Sequence, residues 1–192
     1  MHQMVGSRHP GVEADHAIVV YSGSASRPGI LDTFCAHHAE RGVDVWKLDA
    51  CFSPEGWTED VAAWGAHVAQ TTRLPVFVVG STRRAADLYR ALHVSDVFFG
   101  AVLIGDAGPP ALPGHLDPSL RQNTKPVFYI LGETDIDSWP EVAKAAAAAA
   151  GPVEMHTLPG LMLSYPEACS DIVLEWCQRQ LSNHLNPAWK FE

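Results

Sequence analysis

The chain has 192 residues, of which 47% are hydrophobic, and its formal net charge at pH 7 is −9. This length is enough for one hydrophobic core and short for two, so we expect a single domain over residues 1–192. The acidic balance argues against nucleic acid or an anionic membrane as a partner, because phosphate binding requires clustered Lys and Arg. No run approaches the roughly 18 apolar residues of a membrane span, and a cytoplasmic protein is expected.

The cysteines and histidines of the chain do not indicate a disulfide or a metal site. Cys35, Cys51, Cys169 and Cys177 show no Cys-x-x-Cys spacing, and reduced thiols in or near the core are expected. Only His37–His38 form a close histidine pair, and neighbours on a helix point in different directions. We therefore expect neither a metal ion nor another cofactor.

Strand-like and helical runs alternate from His16 onward, which predicts a parallel sheet with helices on both faces. The predicted strands are Ala17–Tyr21, Val43–Leu48, Val76–Val79, Phe98–Ile104, Val127–Leu131 and Val153–Leu158. The predicted helices span about 28–41, 58–70, 83–93, 139–150 and 166–181. The fold class is therefore α/β, a three-layer α/β/α sandwich whose mostly parallel sheet has about six strands. Residues 1–14 and 183–192 show no clear pattern and are expected to be arms.

The longest irregular connection in the chain covers residues 106–125 and is rich in Pro. It leaves the carboxyl end of a predicted strand, where the binding sites of open α/β sheets gather. Loops of this length in compact domains are usually functional or disordered. We expect this segment to lie over a site in the manner of a lid.

Residues 74–92 consist of an apolar run, a glycine, a polar turn and the start of an amphipathic helix. This pattern is typical of a nucleophile elbow, Gly-x-Ser-x-Gly, in which a strained strand-to-helix turn raises a Ser above the sheet. The five positions are here Gly80, Ser81, Thr82, Arg83 and Arg84. Thr82 takes the nucleophile position, and Arg84 replaces the second glycine, where its side chain is expected to clash unless the turn opens.

Three stretches together resemble the α/β-hydrolase superfamily over about residues 16–182. Besides the elbow, residues 40–49 resemble its second conserved strand, and residues 130–135, Ile-Leu-Gly-Glu-Thr-Asp, resemble the strand end that delivers the triad acid. Residues 158–160, Leu-Pro-Gly, stand where the histidine loop begins. The resemblance implies an α/β-hydrolase-like sheet with a minimal lid, and a Ser, an acid and a His in that chain order.

The chain departs from this triad at two of its positions. Asp135 matches the acid, but Thr82 replaces the Ser and Leu163 stands where the His is expected. In the oxyanion-loop position, residues 21–24 read Tyr-Ser-Gly-Ser, and only Gly23 matches. Loss of a triad member costs on the order of 10⁴ to 10⁶ in turnover, so ordinary Ser-His-Asp hydrolysis is not expected.

Four other residues are candidates for a substitute role. His156 or His115 would serve as a base for Thr82 if either approached it. The alternative is that His156 is a strand residue buried in the core and His115 a solvated loop residue. Cys51 follows a strand end, but no base or cation is assigned to it, and a small buried thiol is expected. Asp106 would replace Asp135 as an acid or simply begin the loop.

Arg83 and Arg84 are cations at a helix N-terminus, where they oppose the helix dipole. With the free N–H groups of that turn they would form an anion site. The alternative is an internal ion pair between one arginine and Asp135 or Asp106. Both interpretations stay open at the level of the sequence.

Three hypotheses for function follow. The first is a degenerate α/β-hydrolase-fold protein that binds a small apolar or anionic molecule and promotes at most a non-covalent cyclisation, isomerisation or elimination. Its polar contacts would come from the following residues: Asp135, Thr82, Tyr21, Ser22, Ser24, Ser81, Arg83 and Arg84. The second is a weak esterase or thioesterase that uses Thr82, with the Arg83 N–H facing the oxyanion. The third is a non-catalytic interaction protein, and whether a homo-oligomer or a partner protein is involved stays open.

Overall fold

The computed structural model of the chain describes residues 6–22, 28–49, 57–105, 110–114, 116–133, 138–159 and 166–185. Its strands are β1 Gly6–His9, β2 Ala17–Ser22, β3 Asp44–Asp49, β4 Val76–Ser81, β5 Phe98–Ile104, β6 Val127–Gly132 and β7 Val153–Leu158. Its helices are α1 Pro28–Glu40, α2 Trp57–Thr72, α3 Ala85–Val94, α4 Pro118–Arg121, α5 Trp139–Ala148 and α6 Pro166–Leu185, with a 3₁₀ turn over Thr82–Arg84.

The strands form one seven-stranded sheet in the order β1-β3-β2-β4-β5-β6-β7. All neighbours pair in parallel except β1, which is antiparallel to β3. The α/β class and the mostly parallel sheet predicted from the sequence are confirmed. All six predicted strands are present, and β1 is the additional one.

Strand β1 corrects the expectation that residues 1–14 form an arm. The strand pairs with β3 from Gly6↔Leu48 to His9↔Val45. Arg8 fixes it, because its Nη2 lies 2.6 Å from Asp44 Oδ2 and its Cζ lies 4.9 Å from the centre of the Trp46 ring. Four residues without apolar alternation give no strand signal, which is why the sequence did not predict this strand. At the other end α6 continues to Leu185, and residues 186–192 lie outside the described residues.

Successive residues of the central strands point to opposite faces and fill two cores. Val19 and Val78 face α2, α3 and α5, whereas Ile18 and Phe77 face α1 and α6. Cys35, Cys169 and Cys177 are free thiols buried in the second core, as expected, and burial raises the pKa of Cys169 to about 12. Cys51 lies outside the described residues. Within the described residues, no helix combines the length and the apolarity needed to cross a membrane.

The described part of the 106–125 segment is packed against the domain and contains helix α4. Leu120 is fully buried in the first core, and Asp117 caps α4 by accepting a hydrogen bond from Ser119 N at 2.9 Å. Ala111 joins the segment to the elbow, since its N–H donates to Thr82 O and its carbonyl accepts from Ala86 N. The segment predicted as irregular thus contains one short helix, Pro118–Arg121, and residues 106–109 and His115 lie outside the described residues.

Candidate active site at the carboxyl edge of the sheet

The carboxyl ends of two neighbouring parallel strands bring together part of the predicted site. Tyr21 and Ser22 end β2, and Ser81 ends β4 beside it. Thr82, Arg83 and Arg84 follow directly as a 3₁₀ turn that leads into α3. Ligand sites of open α/β sheets lie at this edge, so the position is the one that the sequence predicts.

Gly80 retains the packing role that a nucleophile elbow gives its first glycine. A Cβ at this position would lie 2.7 Å from Leu88 Cδ1, which is closer than carbon atoms approach. Leu88 is fully buried on α3. The absent side chain therefore lets β4 and α3 approach each other, and the strand-turn-helix scaffold of the motif is kept.

Thr82 does not have the setting of an activated nucleophile. It is 2% exposed and lies in an unstrained turn, because positive φ angles among the described residues are confined to Glu13, Gly42 and Arg73. An elbow instead holds its nucleophile in a strained turn that exposes the hydroxyl. Among the described residues, no side chain forms a hydrogen bond with the Thr82 hydroxyl.

Three N–H groups in and just after the turn are bonded within the protein itself. Arg83 N donates to Ser81 Oγ at 3.1 Å, Ala85 N donates to Thr82 O, and Ala86 N donates to Ala111 O at 2.8 Å. Ser81 is thus the N-cap of the turn rather than a group presented to a ligand. These three N–H groups are therefore not free for an oxyanion or another anion.

Arg84 avoids the clash expected at the second glycine position because the 3₁₀ turn opens the elbow. Its Cζ lies 5.7 Å from the centre of the Trp57 ring, and its Nη1 lies 3.4 Å from Asp87 Oδ2. The partners predicted from the sequence, Asp135 and Asp106, lie outside the described residues. The i, i+3 spacing of Arg84 and Asp87 on a helix is the signal that would have identified this ion pair.

Tyr21 lines the core instead of presenting its ring to solvent. It is 4% exposed and packs edge-on against Trp57, with ring centres 4.5 Å apart. Trp57 was not a candidate from the sequence, yet it contacts both Tyr21 and Arg84. Among the described residues, none forms a hydrogen bond with its buried indole N–H.

The structure removes one candidate base. His156 lies on β7, in the row Ser81↔Ile104, Ile104↔Ile130 and Ile130↔His156. Three strand spacings of about 4.8 Å separate its backbone from β4 by about 14 Å, too far for a proton transfer with Thr82. The remaining candidates lie outside the described residues: His115, Asp135, Leu163, Ser24, Cys51 and Asp106.

The histidines with displaced pKa values lie at the other end of the sheet. Burial lowers the pKa of His16, which immediately precedes β2, and lowers that of His38 on α1 to about 3. His38 Nδ1 contacts Phe34 O at 3.1 Å and the Ser170 hydroxyl of α6. Within the described residues, no group of three or more His, Cys, Asp or Glu side chains is arranged to hold a metal ion.

A cleft of about 430 Å³ lies beneath the 110–120 segment, between it and α5. Its lining is mostly apolar and includes the following residues: Pro110, Leu112, Pro113, Gly114, Leu120, Glu141, Lys144 and Ala145. Lys144 Nζ and Glu141 Oε1 form an exposed ion pair of 2.7 Å at its rim. Tyr21, Ser81, Thr82, Arg83 and Arg84 do not line this cleft, although its place beneath the 106–125 segment is where the sequence predicts a site.

The fold agrees with that of several solved hydrolases. An esterase domain from Rhodothermus marinus has a TM-score of 0.70 at 15% identity, with 92% of each chain covered. A dienelactone hydrolase from Anabaena variabilis has a TM-score of 0.70 at 16% identity, with 91% of this chain and 90% of the other covered. Est1E from Butyrivibrio proteoclasticus has a TM-score of 0.71 at 12% identity, with 92% and 94% covered.

These similarities identify the α/β-hydrolase fold for this chain. No protein-family profile matches the sequence, and no curated protein is similar to it in sequence. At identities of 12–16%, the fold is what the chain shares with these hydrolases. The activity must therefore be argued from the residues of the site.

Proposed function

We propose that this chain is a degenerate α/β-hydrolase-fold protein that binds a small apolar or anionic molecule and does not form an acyl-enzyme. The strand-to-helix turn carries the proposal. Thr82 is buried there, and the Arg83 N–H that would face an oxyanion is bonded to Ser81. Acyl transfer requires a nucleophile activated by a base and a donor free for the oxyanion, and the turn as built supplies neither.

The cleft beneath the 110–120 segment supports a binding role. Its volume of about 430 Å³ suits a small organic molecule. Leu112 and Pro110 offer apolar contact, and Lys144 offers one cation at the rim. The ion pair of Lys144 with Glu141 is exposed and therefore weak, so a carboxylate of the ligand can replace Glu141 at little cost. The ligand class that fits best is an apolar body with one carboxylate.

A non-covalent reaction such as cyclisation, isomerisation or elimination is compatible with this site, because it needs a bound substrate in a defined pose and no acyl-enzyme. The resemblance to solved esterases keeps a weak esterase as the alternative. That alternative needs Thr82 to become accessible and a base to come from outside the described residues.

Thermal unfolding with a panel of small aryl and alkyl carboxylates, each compared with its neutral amide, tests the proposal. We expect at least one carboxylate to raise the melting temperature, since a ligand that binds only the folded state stabilises it. Leu112→Glu should abolish this shift by placing a carboxylate in the apolar lining. Leu116→Glu is the matched control, because Leu116 belongs to the same segment but is 67% exposed and does not line the cleft.

Three results would contradict the proposal. A shift that persists in Leu112→Glu would place the ligand outside the cleft. Turnover of a short ester that disappears in Thr82→Ala would establish the esterase alternative. If no member of the panel stabilises the protein, the non-catalytic interaction protein becomes the better account.

A further inference from the structure

A second cleft, of about 400 Å³, lies at the amino ends of three neighbouring strands, away from the elbow. Asp15 precedes β2 by two residues, Pro75 comes directly before β4, and Phe99 is the second residue of β5. Ligand sites of open α/β sheets lie at the carboxyl ends of the strands, so this cleft is separate from the candidate active site. Helix α6 completes its lining with the following residues: Gln178, Leu181 and His184.

A row of rings supports one wall of this cleft. The ring centres of His16 and Phe77 are 5.8 Å apart, those of Phe77 and Phe99 are 6.0 Å apart, and those of Phe99 and His184 are 5.0 Å apart. His16 and Phe77 are fully buried, whereas Phe99 is half-buried and lines the cleft. Contacts on both sides therefore hold the Phe99 ring in a defined position. Aromatic rings attract a cation that lies within about 6 Å of the ring centre.

Asp15 gives the cleft an uncompensated negative charge. Its side chain is 61% exposed, and within the part of the chain that the structure describes no Lys or Arg forms an ion pair with it. Its Oδ1 contacts Nδ1 of His16, but burial lowers the pKa of that imidazole, which therefore donates its N–H as a neutral group at pH 7. Burial raises the pKa of the Cys177 thiol on α6, and the charge of Asp15 raises it further. The negative charge of Asp15 therefore acts on the α6 side of the cleft.

The end of α6 adds a second source of negative potential. The helix has 20 residues and ends at Leu185, and His184 in its last turn lines the cleft. Carbonyl groups in the last turn of a helix carry the negative end of the helix dipole, which favours a cation nearby. Among the described residues that line the cleft there is no Lys or Arg. The cleft thus differs in charge from the one beside α5, where Lys144 lies at the rim.

We propose that this cleft binds a small organic cation, an ammonium group on a short aromatic or alkyl body. The ammonium group would lie between the Asp15 carboxylate and the Phe99 ring, with the apolar body against Pro75 and Leu181. A charged hydrogen bond and a cation–π contact then act on the same group. The volume of about 400 Å³ suits a molecule of this size. Since the cleft beside α5 lies on the other face of the sheet, this site is independent of the proposed function.

Isothermal titration calorimetry of the full chain with benzylammonium, beside the neutral benzyl alcohol, gives the first test. We expect benzylammonium to bind and benzyl alcohol to bind at least about tenfold more weakly, because it lacks the charge. Asp15→Asn keeps an oxygen that can accept from His16 and should weaken benzylammonium binding by a similar factor. Glu13→Gln is the matched control, since Glu13 is an exposed acid nearby that does not line the cleft. No binding of benzylammonium at millimolar concentration, or equal affinity of Asp15→Asn and the native protein, overturns the proposal.

A charge placed on α6 tests the location separately. Gln178 is exposed and lines the cleft together with Asp15, so Gln178→Arg should fold and supply an internal cation that competes with the ammonium group. Asn183→Arg makes the same change of charge at an exposed position of α6 that does not line the cleft. We expect the first variant to lose benzylammonium binding and the second to retain it, with circular dichroism to verify that both are folded. Native affinity in Gln178→Arg would place the ligand elsewhere and refute the site.

Discussion

The backbone N–H of Arg83 donates a hydrogen bond to the Ser81 hydroxyl at 3.1 Å. The N–H in this position of a nucleophile elbow contributes to the oxyanion hole. Here the residue before Thr82 uses that N–H to cap the 3₁₀ turn. The N–H that would face an oxyanion therefore stabilises the turn here.

Replacing Ser81 by Ala should destabilise the fold by about 1 kcal/mol, because the turn loses its N-cap acceptor. Ser81→Asp retains an oxygen that can accept from Arg83 N and should lose less. Urea denaturation of the two variants measures the free energies of unfolding. Equal free energies of unfolding for the Ala variant and the native protein would show that this hydrogen bond does not stabilise the fold.

Replacing Gly80 by Ala should cost about 1–3 kcal/mol of stability, because the added Cβ would lie 2.7 Å from Leu88 Cδ1 in a packed core. Gly114→Ala is the matched control, since a Cβ there meets nothing within 4 Å and the residue is exposed. The difference between the two midpoints of chemical denaturation isolates the strand-helix contact. If Gly80→Ala left the free energy of unfolding unchanged, β4 and α3 would be able to move apart at no cost in stability.

Replacing Arg84 by Ala should cost about 0.5–1.5 kcal/mol, from the loss of its contact with the Trp57 ring and of a partly exposed ion pair with Asp87. Arg84→Lys keeps the charge but not the planar guanidinium, so it should recover only part of the loss. Thermal unfolding at low and high salt separates the two contributions, because only the ion pair is screened strongly. An Ala variant more stable than the native protein would indicate that Arg84 is merely tolerated.

Stability should decrease in acid, in the pH range between the two pKa values of His38. Burial lowers its pKa from 6.5 to about 3 in the folded protein, so the unfolded chain takes up the proton first as the pH falls. The stabilisation is therefore complete above pH 6.5 and is lost toward pH 3, with a slope of about 1.4 kcal/mol per pH unit. The pKa of His16 is also lowered by burial, which adds to the effect.

The control for this prediction is His38→Asn, which keeps an amide donor near Phe34 O but cannot titrate. Its free energy of unfolding should vary less with pH between 6.5 and 4.5, whatever its absolute stability. Asp117 and Asp171 have lowered pKa values, so their contribution is lost mainly below their ordinary pKa of 3.8. A variant with the native pH dependence would contradict the assignment to His38.

The sequence predicted the sheet and the elbow scaffold because both depend on local patterns. Continuous apolar runs such as Val76–Val79 identify a buried strand, and Gly80 followed by a polar turn identifies the strand-to-helix junction. Strand β1 was missed because its pairing depends on Arg8 reaching Asp44 and Trp46, residues distant in sequence. Long-range contacts of single side chains leave no periodic signal.

The candidate site was predicted less completely than the fold. The sequence placed Thr82, Arg83 and Arg84 at the correct edge, but it could not show that Ala111 would cover the turn or that Ser81 would cap it. Helix α4 packs on α3 and α5, and the cleft forms between α5 and residues 110–114 and 120. The spacing of Arg84 and Asp87 was visible in the sequence, whereas the cleft depends on tertiary packing alone.

The most direct test of the central claim is intact-mass labelling of the native protein with a fluorophosphonate probe, beside Thr82→Ala. A buried Thr82 without a free oxyanion donor should not react, so we expect the unlabelled mass for both proteins. Stoichiometric labelling of the native protein that disappears in Thr82→Ala would show an activated hydroxyl and contradict the account.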